Sequence, residues 1–215
     1  MTPQEKAAAA VALLEEAYPQ AVCSLEYQDP LQLLIATRLA AQCTDRRVNL
    51  VTPALFAHFP TAQAFAEAPV EAVEEDIRTC GLYKTKARDI VAMCQLLCRE
   101  YDGRVPDTME DLLKLPGVGR NTANLVLGDV FHQPAVVVDT HCIRITGRLG
   151  FHRTKDAVRI EKILRDLLPP EKSNDFCHRL VLHGRAVCTA RSARCGQCPL
   201  SGICEEALSR QSENE

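Results

Sequence analysis

Four cysteines crowd the last thirty residues of the chain in the order Cys188-x6-Cys195-x2-Cys198-x5-Cys204. Thiolates this close, with Gly196, Pro199 and Gly202 between them for turns, suit a tetrahedral metal ion or an iron–sulfur cluster. Zinc ribbons pair two Cys-x2-Cys knuckles. Only Cys195 and Cys198 form one here, which favours a [4Fe–4S] cluster over zinc. The remaining seven, Cys23, Cys43, Cys80, Cys94, Cys98, Cys142 and Cys177, sit singly in apolar or helical surroundings. They read as free thiols packing like small hydrophobes. An odd total of eleven, with no export signal, argues against a disulfide framework.

Two further segments could do chemistry. Leu115-Pro116-Gly117-Val118-Gly119-Arg120 lies between two predicted helices. Its glycines permit a tight hairpin and leave backbone N–H groups uncovered at the start of the following helix. Such a helix terminus seats an anion, a DNA phosphate for example, without reading base sequence. The same residues would also serve as a plain helix–helix connector. In Val138-Asp139-Thr140-His141 an acid follows an apolar run and opens a helix. Asp is a favoured N-cap, and a carboxylate there stays ionised easily, ready to stabilise positive charge. One residue can fill both roles. His141 and Cys142 read as core-facing or capping groups rather than ligands.

The elements that must position these groups are helices. The N-terminal stretch MTPQEKAAAAVALLEEAYPQ is amphipathic, and Asp29-Pro30 opens LQLLIATRLAAQ with proline at the first helical position. Further helices are predicted over Asp45 to Ala57, from a Thr61 cap through Glu67, and from Pro69 to near Cys80-Gly81. Another runs from Lys84 to Glu100, with a helical stripe at Ala87, Ile90, Val91, Cys94, Leu97 and Cys98. Asp107 can cap one that reaches Lys114. The only strand-like run, PAVVV at 134–138, has no partner, so an all-α fold is expected. The terminal SRQSENE reads as frayed and solvated.

A formal net charge of −3 over 215 residues does not announce a nucleic-acid binder. The distribution matters more than the sum. Residues 178–194 carry Arg179, Arg185, Arg191 and Arg194 with no acid among them, while Glu71, Glu74, Glu75 and Asp76 cluster elsewhere. No apolar run reaches the roughly 18 residues a membrane span requires. The expectation is a cytoplasmic protein (nucleoid-associated if bacterial) without a membrane partner.

Taken together, LLIATRLAAQCTD, GLYKTKA, LPGVGRNTAN, VVVDTHCIRITGRLG, HGRAVC and the four-cysteine loop resemble the endonuclease III family of helix–hairpin–helix DNA glycosylases, over residues 5 to 206. The resemblance implies two all-α domains with a DNA cleft between them. One is a six-helix domain at 23–133 carrying the hairpin. The other joins 1–22 to 134–215 and holds a [4Fe–4S] cluster on Cys188, Cys195, Cys198 and Cys204. Asp139 would lie across the cleft from the hairpin. The implied partner of this monomer is double-stranded DNA containing a damaged base or an abasic site, with the target nucleotide rotated out of the stack. The implied reaction is removal of an oxidised pyrimidine by cleavage of its N-glycosidic bond. By position Gln42 resembles the residue that fills the resulting gap, and Leu82 a wedge into the stack. Leu115, Gly117, Val118, Gly119 and Arg120 would bind backbone, and Arg191 and Arg194 would face phosphates.

The departure is at position 121. The family's bifunctional members read LPGVGRKTA, and that lysine attacks the sugar and carries strand cleavage through a Schiff base. Here the residue is Asn121. An amide nitrogen is neither basic nor nucleophilic and cannot form the imine. Four readings follow. The chain is a monofunctional glycosylase using Asp139, with Asn121 orienting water or base. Alternatively another amine, such as Lys84, substitutes. The chain could also be a form inactivated to hold a complex, or a non-catalytic binder of damaged or abasic DNA on the same scaffold. Retention of Asp139 favours the glycosylase.

Overall fold

A computed structural model describes residues 1–212 of the chain. The all-α expectation holds: the described residues form helices joined by turns, and PAVVV stays extended without pairing. Its Ala135, Val136 and Val138 are buried instead among helices. The chain divides into two compact units, one formed by 1–22 with 133–215 and the other by 23–132.

The unit at 23–132 contains α2 (Pro30–Ala40), α3 (Asp45–His58), α4 (Ala62–Glu67), α5 (Val70–Asp76), α6 (Tyr83–Tyr101), α7 (Met109–Leu112) and α8 (Arg120–Asp129). Side-chain oxygens of Asp29, Thr44, Thr61 and Thr108 cap α2, α3, α4 and α7, accepting from backbone N–H groups inside each first turn. Thr108, not Asp107, is the cap of α7. This helix makes a single turn and stops well before Lys114, since Pro116 disfavours helical geometry at Leu115. α5 also ends early, at Asp76 rather than near Cys80. Glu74, Glu75 and Asp76 place negative charge at the end of the helix where the dipole disfavours it. α6 runs through the unit's core. Its Ile90, Met93 and Leu97 are fully buried in one cluster with Leu33, Leu34 and Ile35 of α2 and Ala123 and Val126 of α8.

The other unit joins α1 (Pro3–Ala17) to α9 (Thr140–Leu149), α10 (Ala157–Leu167), α11 (Ser173–Ala186) and α12 (Glu205–Ser212). Thr2 and Glu5 form a reciprocal capping box at the start of α1. Leu14, Leu149, Leu164, Phe176 and Leu180 share a fully buried core. Gly184 lets α11 pass close against α9, because a Cβ there would run into His141 and Arg144. Ser209 to Ser212, expected to fray, continue α12; the rest of that expectation, at 213–215, lies outside the described residues.

Candidate functional site

The hairpin between α7 and α8 is shaped from below. Leu115 and Val118 are buried in the core, and the Val118 N–H donates to the Leu115 carbonyl at 3.1 Å. Their side chains are anchors, so this stretch offers main chain rather than side chains to a ligand. Gly117 has φ +75°, the left-handed region, and a Cβ there would lie 2.7 Å from Arg38 Nε and 2.9 Å from Asp89 Cβ. Arg38 donates from Nε to Asp89 Oδ2 at 2.9 Å, so an ion pair linking α2 to α6 forms the floor of the turn. Gly119 differs. Its backbone is extended (φ −99°, ψ 176°), and a Cβ added to it would meet nothing within 4 Å. The fold therefore needs glycine at 117 but not at 119. There the missing side chain leaves the start of α8 open. No side chain caps that helix, and the Ala123 N–H, bonding the Gly119 carbonyl at 2.9 Å, begins its ladder. Arg120 and Asn121 are exposed in the first turn. Gly117→Ala is expected to cost about 2–4 kcal/mol, from the left-handed backbone and the crowding over the ion pair. Gly119→Ala should stay within about 1 kcal/mol of the parent. Urea denaturation of the two variants measures the contrast.

Gln42 and Leu82 lie forty residues apart in sequence and come together in this unit. Both adopt left-handed backbone, φ 55° and 59°, and both are exposed, Leu82 by 57%. Gly81 brings them near: its Cβ position lies 3.2 Å from the Gln42 carbonyl oxygen. Beneath the pair, fully buried Lys86 donates from Nζ to the Leu39 carbonyl at 2.7 Å, gripping the last turn of α2 just before Gln42. Burial pushes the Lys86 ammonium below the usual lysine range. Lys86, Arg38 and Asp89 are supports that sequence reasoning missed. The available signal for Lys86 was a lysine falling on the apolar stripe of α6. Lys84, the alternative amine, is exposed one turn outside that stripe.

In the other unit Asp139 is the N-cap of α9, and its Oδ1 accepts from the Cys142 N–H at 2.7 Å. The capping role is therefore real, and the carboxylate remains partly exposed. His141 contacts Arg144 through Nδ1 at 3.1 Å, in keeping with a packing role.

Cys188, Cys195, Cys198 and Cys204 all border one small pocket, with Arg148 and Arg194 among its other walls. Among the described residues no three Cys, His, Asp or Glu side chains converge tightly enough to grip a single ion. A zinc ion would draw its thiolates to about 2.3 Å. Four thiols bordering one pocket are a soft donor set that suits an iron–sulfur group. Burial opposes anionic sulfur here, and polar neighbours offset it. Arg148 donates from one guanidinium nitrogen to Cys188 Sγ at 3.1 Å and to the Thr189 carbonyl at 3.0 Å, and His183 Nε2 lies 3.4 Å from Cys198 Sγ. Burial raises the Cys198 and Cys204 thiols above their ordinary range and pushes the His183 imidazole down to about 4. Arg144 fixes the backbone by donating to the Cys188 carbonyl.

The loop between the first two cysteines is a tight hairpin. Cys188 and Ala193 form one antiparallel bridge, and the Ser192 N–H donates to Thr189 Oγ1 at 3.1 Å. Arg191 and Arg194 are exposed on it, with no acidic partner among the described residues. Arg179, from the same acid-free stretch, differs from them. It is buried, donates from Nε to the Tyr18 carbonyl at 3.1 Å, and approaches Glu15 at 3.5 Å. This arginine braces α11 against α1 and is not a surface group.

Comparison with known proteins agrees with this geometry. Residues 35–170 match the HhH-GPD superfamily of base excision DNA repair proteins. The endonuclease III of Synechocystis sp. is 46% identical over 205 residues, covering 95% of this chain and 94% of that protein. The endonuclease III of Escherichia coli is 41% identical over 192 residues, covering 89% of this chain and 91% of its own. A solved trapped endonuclease III–DNA covalent intermediate is similar with a TM-score of 0.92 at 41% identity, covering 98% of this chain and 100% of that one.

Proposed function

The chain belongs to the endonuclease III family of base-excision DNA repair proteins and is a DNA N-glycosylase, and we propose that it releases an oxidised pyrimidine from duplex DNA by hydrolysis, without the family's lysine-based strand cleavage. The observation that carries this is Asn121 in the first turn of α8 together with an intact, partly exposed Asp139 at the start of α9.

Departure of the base leaves an oxocarbenium-like sugar. The Asp139 carboxylate, held in place by the Cys142 N–H that it accepts, stabilises that charge or takes a proton from the attacking water. The Asn121 amide can orient the water or the base but cannot itself attack C1′. The uncovered start of α8 behind Gly119 takes a backbone phosphate. Gln42 and Leu82 enter the space of the extruded nucleotide and the stack beside it. The four cysteines would hold a [4Fe–4S] cluster, whose part when bound is to fix the loop carrying Arg191 and Arg194.

A single-turnover assay on an end-labelled duplex with one oxidised pyrimidine tests the reading. Half of each sample is treated with alkali before electrophoresis. Breaks should appear only after alkali; breaks of equal yield without it would mean that another amine does the lysine's work.

Two binding predictions follow from the same surfaces. Replacing Arg191 and Arg194 by alanine should lower DNA affinity similarly across sequences and reduce the log–log salt slope by about 2. An unchanged slope in a salt titration takes them off the interface. Gly119→Ala, nearly neutral for folding, should weaken DNA binding on the order of tenfold. Its methyl group would stand where the phosphate meets the backbone N–H groups, and bonds to charged groups are worth about 1.5–3 kcal/mol.

A further inference from the structure

The pocket of four cysteines has a polar chain leading out of it that none of the preceding chemistry uses. Tyr18, at the end of α1, is held by its N–H to the Leu14 carbonyl and by Arg179 Nε on its own carbonyl. Its hydroxyl lies 3.1 Å from Nδ1 of His183, and the two rings meet edge to face with centroids 5.8 Å apart. The other nitrogen of the same imidazole, Nε2, lies 3.4 Å from Cys198 Sγ. His183 is fully buried on α11, so solvent does not compete for either nitrogen.

Which nitrogen carries the proton follows from what each one faces. A thiolate bound to iron has no proton to give and can only accept a hydrogen bond. Nε2 must therefore be protonated to make a favourable contact with it. Nδ1 of the neutral ring is then an acceptor, and the Tyr18 hydroxyl is a donor able to satisfy it. The opposite tautomer would set the Nε2 lone pair against the anionic sulfur. Tyr18 thus selects the tautomer that the sulfur requires.

We propose that Tyr18 and His183 form a relay that presents the Nε2–H of His183 to the Cys198 sulfur and thereby raises the reduction potential of the iron–sulfur cluster. This rests on the reading that the four cysteines hold such a cluster. Reduction places more electron density on the cluster sulfurs, so a donor to one of them stabilises the reduced form more than the oxidised form. Both residues are positioning residues. Neither is asked to touch DNA.

The test is the midpoint potential of the DNA-free holoprotein, measured by mediated titration alongside iron content and visible absorption. His183→Leu should shift the equilibrium tenfold toward the oxidised cluster, a fall of about 59 mV for one electron. Tyr18→Phe, which leaves the imidazole in place and serves if His183→Leu does not fold, should give a smaller fall in the same direction. Without the hydroxyl the Nδ1 proton is no longer disfavoured, and the donor tautomer loses part of its population. Full iron loading with unchanged potentials in the folded variants would overturn the relay alone. A parent protein that binds no iron would overturn both the relay and the cluster.

Discussion

Asn121→Lys should convert the protein from one that only releases bases into one that also cuts the strand at the resulting abasic site. Borohydride should then trap a covalent protein–DNA adduct that the parent does not form. Position 121 lies in the first turn of α8 and is exposed. The same position favours reactivity. The positive end of the helix dipole and the neighbouring Arg120 both disfavour the ammonium form, lowering the pKa of an introduced amine and raising its nucleophilic fraction. The stability cost is a few tenths of a kcal/mol for a cation at a helix start. Strand cleavage without alkali should rise on the order of 100-fold above the parent. Trapping that stays at background while DNA affinity is retained would mean that the start of α8 does not deliver this side chain to C1′. In that case the departure from the family extends beyond one residue.

The parts of the site that sequence made legible are those whose signals are local. A four-cysteine spacing, a Pro-Gly-x-Gly turn and an acid before a helix each declare themselves within a few residues. The structure gives each such segment the expected backbone: a shared pocket, a left-handed turn and an N-cap. What stayed hidden depends on long-range pairing. The floor of the hairpin is an ion pair between Arg38 and Asp89, and α2 is gripped by Lys86 through the carbonyl of Leu39. Nothing local names the partner in either contact, although Lys86 stands out as a lysine on the apolar stripe of α6. Arg179 misled in part for the same reason: besides Asp175 one turn before it on α11, its partners Glu15 and the Tyr18 carbonyl lie at the far end of the chain. Helix ends failed where competing terms were subtle, as in the charge that stops α5 and the proline that shortens α7.

Gln42 and Leu82 illustrate a second limit. Neither is glycine or asparagine, so their left-handed backbone is not legible from residue type. Each such residue costs roughly 1–2 kcal/mol. In this unit the cost buys the exposure of two neighbouring side chains that an ordinary turn would fold back. Leu82 especially has no folding reason to be exposed at the start of a helix. Asp102 and His132 share that backbone, but Gln42 and Leu82 lie side by side and exposed, in keeping with the inserting role proposed for them.

Asp139→Asn should reduce single-turnover base release by about three orders of magnitude while leaving the fold nearly untouched. The capping bond decides how this variant is read. Because Asp139 Oδ1 accepts the Cys142 N–H, removing the whole carboxylate would confound two effects. Asparagine keeps an oxygen in the same place and caps helices about as well as aspartate. What it loses is the charge, worth about 0.3–1 kcal/mol against the helix dipole. Asp139→Ala loses the cap as well and should cost roughly 1 kcal/mol more in thermal or urea unfolding, with no further loss of rate. The two variants therefore separate the roles. If Asp139→Asn retains base release, the carboxylate is a cap and nothing else, and hydrolysis must draw on a different group. If it loses base release at near-parent stability, the negative charge serves the chemistry, and α9 is the element that holds it in place.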